Sequence, residues 1–189
     1  MAKKRRLNRT AVVEQAARMA NAAGDPDAVT LTALAQALQV QTPSLYNHVA
    51  GLDDLRHALA AYGARQLIEA LRAVTAGHIG RDALRAVAMT YREFAHQHPG
   101  LYPLTIRAPD LQQVELVALA QELLQMLLLI LASCGLQGDE ALHAVRGLRA
   151  VLHGFSSLEA AGGYKMALDR DESFDLLVTT YLDGLLSPE

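Results

Sequence analysis

The chain has 189 residues, 51% of them hydrophobic and 20% charged, with one cysteine and a net charge of −3. That is enough for one or two modest domains with a proper core, and it excludes a disordered chain, a disulfide framework and a cysteine-based zinc site within one chain. No apolar signal core follows the basic N-terminus and the longest apolar run, residues 126–132, is far too short to span a bilayer, so a soluble protein of the reducing cytoplasm is expected, with no membrane partner.

Lys3, Lys4, Arg5 and Arg6 repel one another and have nothing apolar to bury, which predicts a basic arm. A first helix follows from about Asn8, its cap, to about Ala23, with Val12, Ala16 and Met19 on one face and residues 24–27, GDPD, as the loop that ends it. Thr30 can cap a second helix in which Leu31, Leu34, Ala35 and Leu38 recur at helical spacing. After Gln39 and Val40, Thr42 can cap a third, with Pro43 at its first position, where a missing N–H costs nothing. From Pro43 to Val49 only Leu45 and Val49 form an apolar i,i+4 pair, so Ser44, Tyr46, Asn47 and His48 look outward with hydrogen-bonding groups. Two short helices joined tightly and followed by a third make the layout of a DNA-reading helix-turn-helix.

A long helix is expected over residues 52–74, then one over 81–98 with Ala83, Val87, Tyr91 and Phe94 as its stripe, stopped by Pro99 and Gly100. Residues 101–109 read as an irregular connection. Asp110 can cap a helix to about Cys134, Asp139 another to about Ala161, and a last helix spans about 172–186. No strand alternation appears, so the class is all-α with about nine helices. The domain organisation expected is a DNA-binding domain with its arm over residues 1–56 and a helical effector-binding and dimerisation domain over 57–189.

Charge is distributed to match. Residues 1–56 carry seven Lys/Arg against five Asp/Glu, and the remainder ten against fifteen. Such asymmetry fits a DNA-binding head on a body that does not bind DNA. Residues 116–132, LVALAQELLQMLLLILA, are apolar on more than one face and need two buried surfaces. The following helix has a broad stripe of Leu142, Val145, Leu152 and Phe155 and a small-residue stripe of Ala144, Gly147, Val151 and Gly154. A helix-interior glycine costs about 1 kcal/mol against alanine, so two on one stripe point to a close backbone approach. Leu128 with the small stripe therefore forms the candidate dimer surface; tight packing within one chain is the other reading of the same pattern.

The segment 33–59, ALAQALQVQTPSLYNHVAGLDDLRHAL, resembles the N-terminal domain of tetracycline-repressor-type (TetR) regulators, most specifically in LYxHV at 45–49, and the resemblance reaches back to RTAVV at 9–13. HPGLYPLTI at 98–106 and LHGFSSLEAAGGY at 152–164 resemble a branch with a Trp/His/Gly signature; His153 and Gly154 are retained, and the chain has no tryptophan. The resemblance implies a ligand-responsive transcription regulator, most often a repressor, that pairs through its last two long helices as a homodimer and reads a palindromic operator in double-stranded DNA. It places Thr32, Thr42, Pro43, Ser44, Tyr46, Asn47 and His48 at contact positions. Tyr46 and His48 would grip phosphate, Pro43 a thymine methyl, and Ser44 and Asn47 base edges; capping of the small core is the plainer role for Tyr46 and His48. Thr32 stands where the family's namesake has a base-reading arginine, and Leu52 where many relatives have a lysine. The second and third helices thus hold no Lys or Arg, and the arm of Lys3, Lys4, Arg5 and Arg6 is the expected source of phosphate neutralisation. Gln39 stands at a turn glycine; with φ > 0 there its side chain costs roughly 1–2 kcal/mol.

For the body, the resemblance implies a small-molecule pocket, with His96, Tyr102, Met126, Phe155 and Tyr164 as candidate lining residues and a hydrophobic or aromatic effector. His96 and His98 put two imidazoles near a helix end, but no cysteine or tight acidic cluster completes a metal set, and no nucleophile or partner carboxylate is placed around His153. No metal, cofactor or catalytic residue is expected. A helical ligand-binding or interaction protein whose head no longer binds DNA is the alternative that the missing cations motivate.

Overall fold

A computed structural model describes residues 7–187, which form eight α-helices and two 3-10 turns among the described residues. The helices are α1 (Arg9–Ala23), α2 (Leu31–Ala37), α3 (Thr42–Leu45), α4 (Leu52–Thr75), α5 (Gly80–Gln97), α6 (Val114–Ala132), α7 (Gly138–Ala160) and α8 (Arg170–Leu186). The all-α class holds, one helix short of the expected nine. The basic arm lies outside the described residues.

The described residues pack as two compact units, one of residues up to 66 with 97–120, the other of residues 67–96 with those from 121 on. In the first, α1 starts on Asn8, whose side chain accepts from the Ala11 N–H, and stops on Gly24 in the left-handed region. Thr30 caps α2 through the Ala33 N–H. Val12, Ala16 and Ala20 of α1, Leu34 of α2, Leu45, Val49, and Leu55 and Leu59 of α4 close a small core that Leu101 completes from beyond α5. Alanines on α1 let its neighbours come close, and each fully buried leucine contributes roughly 1.5–3 kcal/mol.

Several starts differ from the sequence reading. Gln41 precedes α3, and Thr42 and Pro43 are already helical. The third helix ends at Leu45 instead of Val49, because the N–H groups of Tyr46 and His48 turn to carbonyls three residues back and wind the chain out of α geometry. Asp110 makes a local turn to the Gln112 N–H and α6 starts only at Val114. Asp139 lies inside the first turn of α7, whose flanking residue is Gln137, while Asp169 starts α8 by accepting from the N–H groups of Asp171 and Glu172.

In the second unit, Leu67, Ile68 and Leu71 of α4, Leu84 and Val87 of α5, Ile130 and Leu131 of α6, Leu148 and Leu152 of α7, and Phe174, Val178 and Leu182 of α8 are buried. The α7–α8 approach is tight at Gly147, where a Cβ would lie 2.3 Å from the Tyr181 hydroxyl oxygen. That hydroxyl donates to the Ala144 carbonyl at 3.1 Å. Ion pairs Arg81–Asp183, Arg85–Asp175 and Arg72–Glu122 border the unit. Helix α6 is long and apolar enough to cross a membrane by length and composition. Its outer stripe of Val114, Ala118, Gln121, Gln125, Leu129 and Ala132 is nonetheless broken by two glutamines.

Candidate nucleic-acid interface and sensor site

The α2–α3 turn pivots on Gln39, whose φ of 56° makes it the one non-glycine residue with positive φ among the described residues. That turn aims the short α3 segment outward. Pro43, Tyr46 and Asn47 are exposed, Tyr46 by 57%, whereas Thr42, Ser44 and His48 are half-buried. Thr32 on α2 is exposed. Tyr46 is therefore not a lid on the core, and residues 42–48 present a largely polar, partly exposed face around the buried Leu45, the candidate reading segment.

A clamp that sequence reading missed fixes this segment. The Arg9 guanidinium donates to the His48 carbonyl at 2.7 Å and to both oxygens of Asp54 at 2.8 Å, and Asp54 also accepts from the Ala50 N–H at 2.8 Å. The hydrogen bonds from Arg9 hold the Asp54 carboxyl at about 2, against burial that pushes it up. Arg9 is raised for the reciprocal reason. Nearby, Arg56 pairs with Asp27 and Asp53, and Arg18 bonds Gln15. Two of the three described cations within residues 1–56 are thus committed to carboxylates, which leaves phosphate neutralisation dependent on charge elsewhere.

The body holds a second charged cluster. Arg92 on α5 and Glu159 on α7 are only 7% and 8% exposed and meet through two parallel bonds of 2.9 and 2.8 Å. Arg92 also reaches Asp171 at 2.8 Å, and its guanidinium lies 4.9 Å from the Phe174 ring centre and 5.4 Å from that of Phe155. His96 bonds Glu159 at 2.7 Å, and Tyr164 packs on Phe155 with ring centres 4.8 Å apart. The bonds from Arg92 and then from His96 bring the Glu159 carboxyl down to about 2 despite its burial. A cavity of about 400 Å³ opens here, lined by Arg92, His96, Glu159, Ala160, Asp169, Arg170 and Asp171.

Three of the five candidate lining residues, His96, Phe155 and Tyr164, meet around this pair. Met126 is half-buried on α6, and Tyr102 is buried in the first unit. Arg92 and Glu159 had a legible signal, since Arg92 follows Ala88 by four residues and Glu159 follows Phe155 by four, each a charge in the apolar phase of its helix. Of the candidate dimer residues, Ala144 and Gly147 face Tyr181 of their own chain, Leu128 and Val151 are half-buried, and a Cβ added at Gly154 would meet nothing within 4 Å. Leu158 on α7 and Leu176 on α8 are exposed, and a Cβ added at Gly184 would likewise meet nothing within 4 Å. His153 bonds Ser157 one turn on.

Residues 84–181 match the tetracycline repressor-like C-terminal domain. The chain belongs to the TetR family. This TetR-family chain is 36% identical over 186 residues to the HTH-type transcriptional regulator Rv0681 of Mycobacterium tuberculosis, covering 98% of this chain and 84% of that one. It is 32% identical over 181 residues to the HTH-type regulator YobS of Bacillus subtilis, covering 95% and 93%. A tetracycline repressor variant of Acinetobacter baumannii crystallised with minocycline shares the fold at a TM-score of 0.67 and 20% identity, over 97% of this chain and all of that one. As a TetR-family member the chain is a DNA-binding transcription regulator, and its helix-turn-helix is the α2–α3 unit described above.

Proposed function

We propose that this regulator acts in the cytoplasm as a homodimeric repressor that holds an approximately palindromic operator and releases it on binding a small hydrophobic or aromatic effector. The outward reading segment clamped by Arg9 is the observation that carries this reading. Ser44 and Asn47 meet base edges and Pro43 a thymine methyl in the major groove, Tyr46 and His48 grip phosphate, Thr32 and Thr42 are further contact positions, and Lys3, Lys4, Arg5 and Arg6 supply the cations that helices α2 and α3 lack. Two heads whose reading segments lie one helical turn of DNA apart, about 34–36 Å or a multiple, would read the two half-sites.

The effector contacts His96, Phe155 and Tyr164 beside the Arg92–Glu159 pair, with Met126 of the same unit as a further position. It weakens operator binding only by its preference for the head geometry that does not fit DNA. Pairing of the head cations with carboxylates favours a second reading, an effector-binding protein with a DNA-incompetent head. Enrichment of genomic fragments on the full-length protein at low salt, followed by anisotropy, separates the two. A recurring palindrome supports the regulator, and failure to enrich any sequence supports the second.

A further inference from the structure

The chain crosses between its two compact units three times, after residues 66, 96 and 120. The first and third crossings run inside the continuous helices α4 and α6. The second falls at the last turn of α5 and leads at once into residues 98–101, which are built into the head. There the Asn21 side-chain oxygen accepts from the N–H groups of Gly100 at 3.1 Å and Leu101 at 3.2 Å, and its amide nitrogen donates to His98 Nδ1 at 3.2 Å. Gly100 lies so close to α1 that a Cβ would sit 2.1 Å from the Ala20 carbonyl carbon and oxygen. Leu101 is buried in the head core.

Two residues upstream of this clamp, His96 bonds Glu159. At the other end of α1, Arg9 holds the His48 carbonyl and Asp54. Helix α1 has 15 residues and five of them are buried, so it moves as a stiff rod roughly 22 Å long in a close-packed core. One end of the rod is tied to the exit of α5 and the other to the reading segment.

We propose that Asn21 is a positioning residue that carries movement of the α5 end into α1 and, through Arg9, into the DNA-reading segment. Its biological use rests on the regulator reading above, but its test needs neither operator nor effector. Hydrogen exchange is followed on the full chain, with His96→Ala as the perturbation in the body. In the otherwise native protein His96→Ala speeds exchange at residues 9–13 and 46–50 by about threefold or more, because these amides open with the rod. Asn21→Asp keeps both acceptor bonds and keeps that response, whereas Asn21→Leu abolishes it.

A role confined to fold stability would lower protection in Asn21→Leu yet leave the His96→Ala response the same size in every background. That result overturns the proposal, as does no response in the native background. If Asn21→Leu does not fold, Asn21→Ala removes the same three bonds with a smaller side chain and must abolish the response; an undiminished response overturns the proposal equally. Coupling in a protein that enriches no DNA would defeat the regulator reading and leave Asn21 in its role, and DNA binding without coupling would do the reverse.

Discussion

At the scale of single residues, Asp54 and Gln39 set the reading segment in opposite energetic senses. Asp54 has a carboxyl lowered from an ordinary 3.8 to about 2 by its bonds to Arg9 and Ala50. Its contribution is therefore complete above pH 3.8 and is lost as the pH falls toward 2. Asp54→Ala should cost about 1–2 kcal/mol, since it removes charge-assisted bonds at a partly exposed site. It should also weaken operator binding by freeing the His48 turn, which urea denaturation and anisotropy measured together will show. Gln39, at φ 56°, carries strain that its family resemblance anticipated. Gln39→Gly should raise stability by about 0.5–1 kcal/mol, the relief of left-handed strain less the added freedom of the unfolded chain. A lower melting temperature for that variant would show that the side chain makes a contact worth more than the strain.

Between elements, the pair joining α5 to α7 is the most expensive to break. Glu159→Ala leaves the buried Arg92 guanidinium with only the exposed Asp171 as its carboxylate partner and should cost about 3 kcal/mol. The double variant Arg92→Met, Glu159→Leu should cost far less or stabilise, since it removes both desolvation penalties at once. Denaturation midpoints of the two variants test this, and equal losses would mean the pair itself stabilises the fold. The Glu159 carboxyl is depressed from 4.5 to about 2, so its contribution holds above pH 4.5 and fades below it. Retention of such a costly pair beside a 400 Å³ cavity fits a sensor better than a scaffold. Much of each element was legible in advance: Asn8, Thr30 and Gly24 mark helix ends where the sequence places them, because caps are local hydrogen bonds. The structure starts α3 one residue earlier than the sequence indicates and ends it after one turn instead of at Val49, because three-residue bonds at Tyr46 and His48 and the bond from the distant Arg9 decide where it unwinds.

For the whole molecule, the open face of α7 and α8 is the proposed partner surface. A Cβ at Gly154 or Gly184 would meet nothing within 4 Å, and Leu176 is 66% exposed. Replacing Leu176 by Arg should shift sedimentation from dimer to monomer at micromolar concentration and reduce operator affinity by at least tenfold, about 1.4 kcal/mol, through loss of two-headed binding. A dimer that persists unchanged would move the interface elsewhere. Deleting residues 2–6 should flatten the dependence of DNA affinity on salt, each lost phosphate contact reducing the slope by roughly 0.9. An unchanged slope would assign the arm no phosphate contact.

The amino-acid sequence alone determined the all-helical class, the family, the order of the helices and the outward polarity of residues 42–48. Those follow from periodicity, caps and turn residues, which act over a few positions. Only the tertiary structure decided that Arg9 clamps the reading segment from 39 residues away, that Arg92 meets Glu159 across 67, and that Asn21 holds the turn at 98–101. It also turned Ala144 and Gly147 toward Tyr181 within the chain while leaving Gly154 open. A charge or a glycine in a helical pattern states that something must approach it. Which distant group does so depends on how the helices pack, and that is a property of the folded chain.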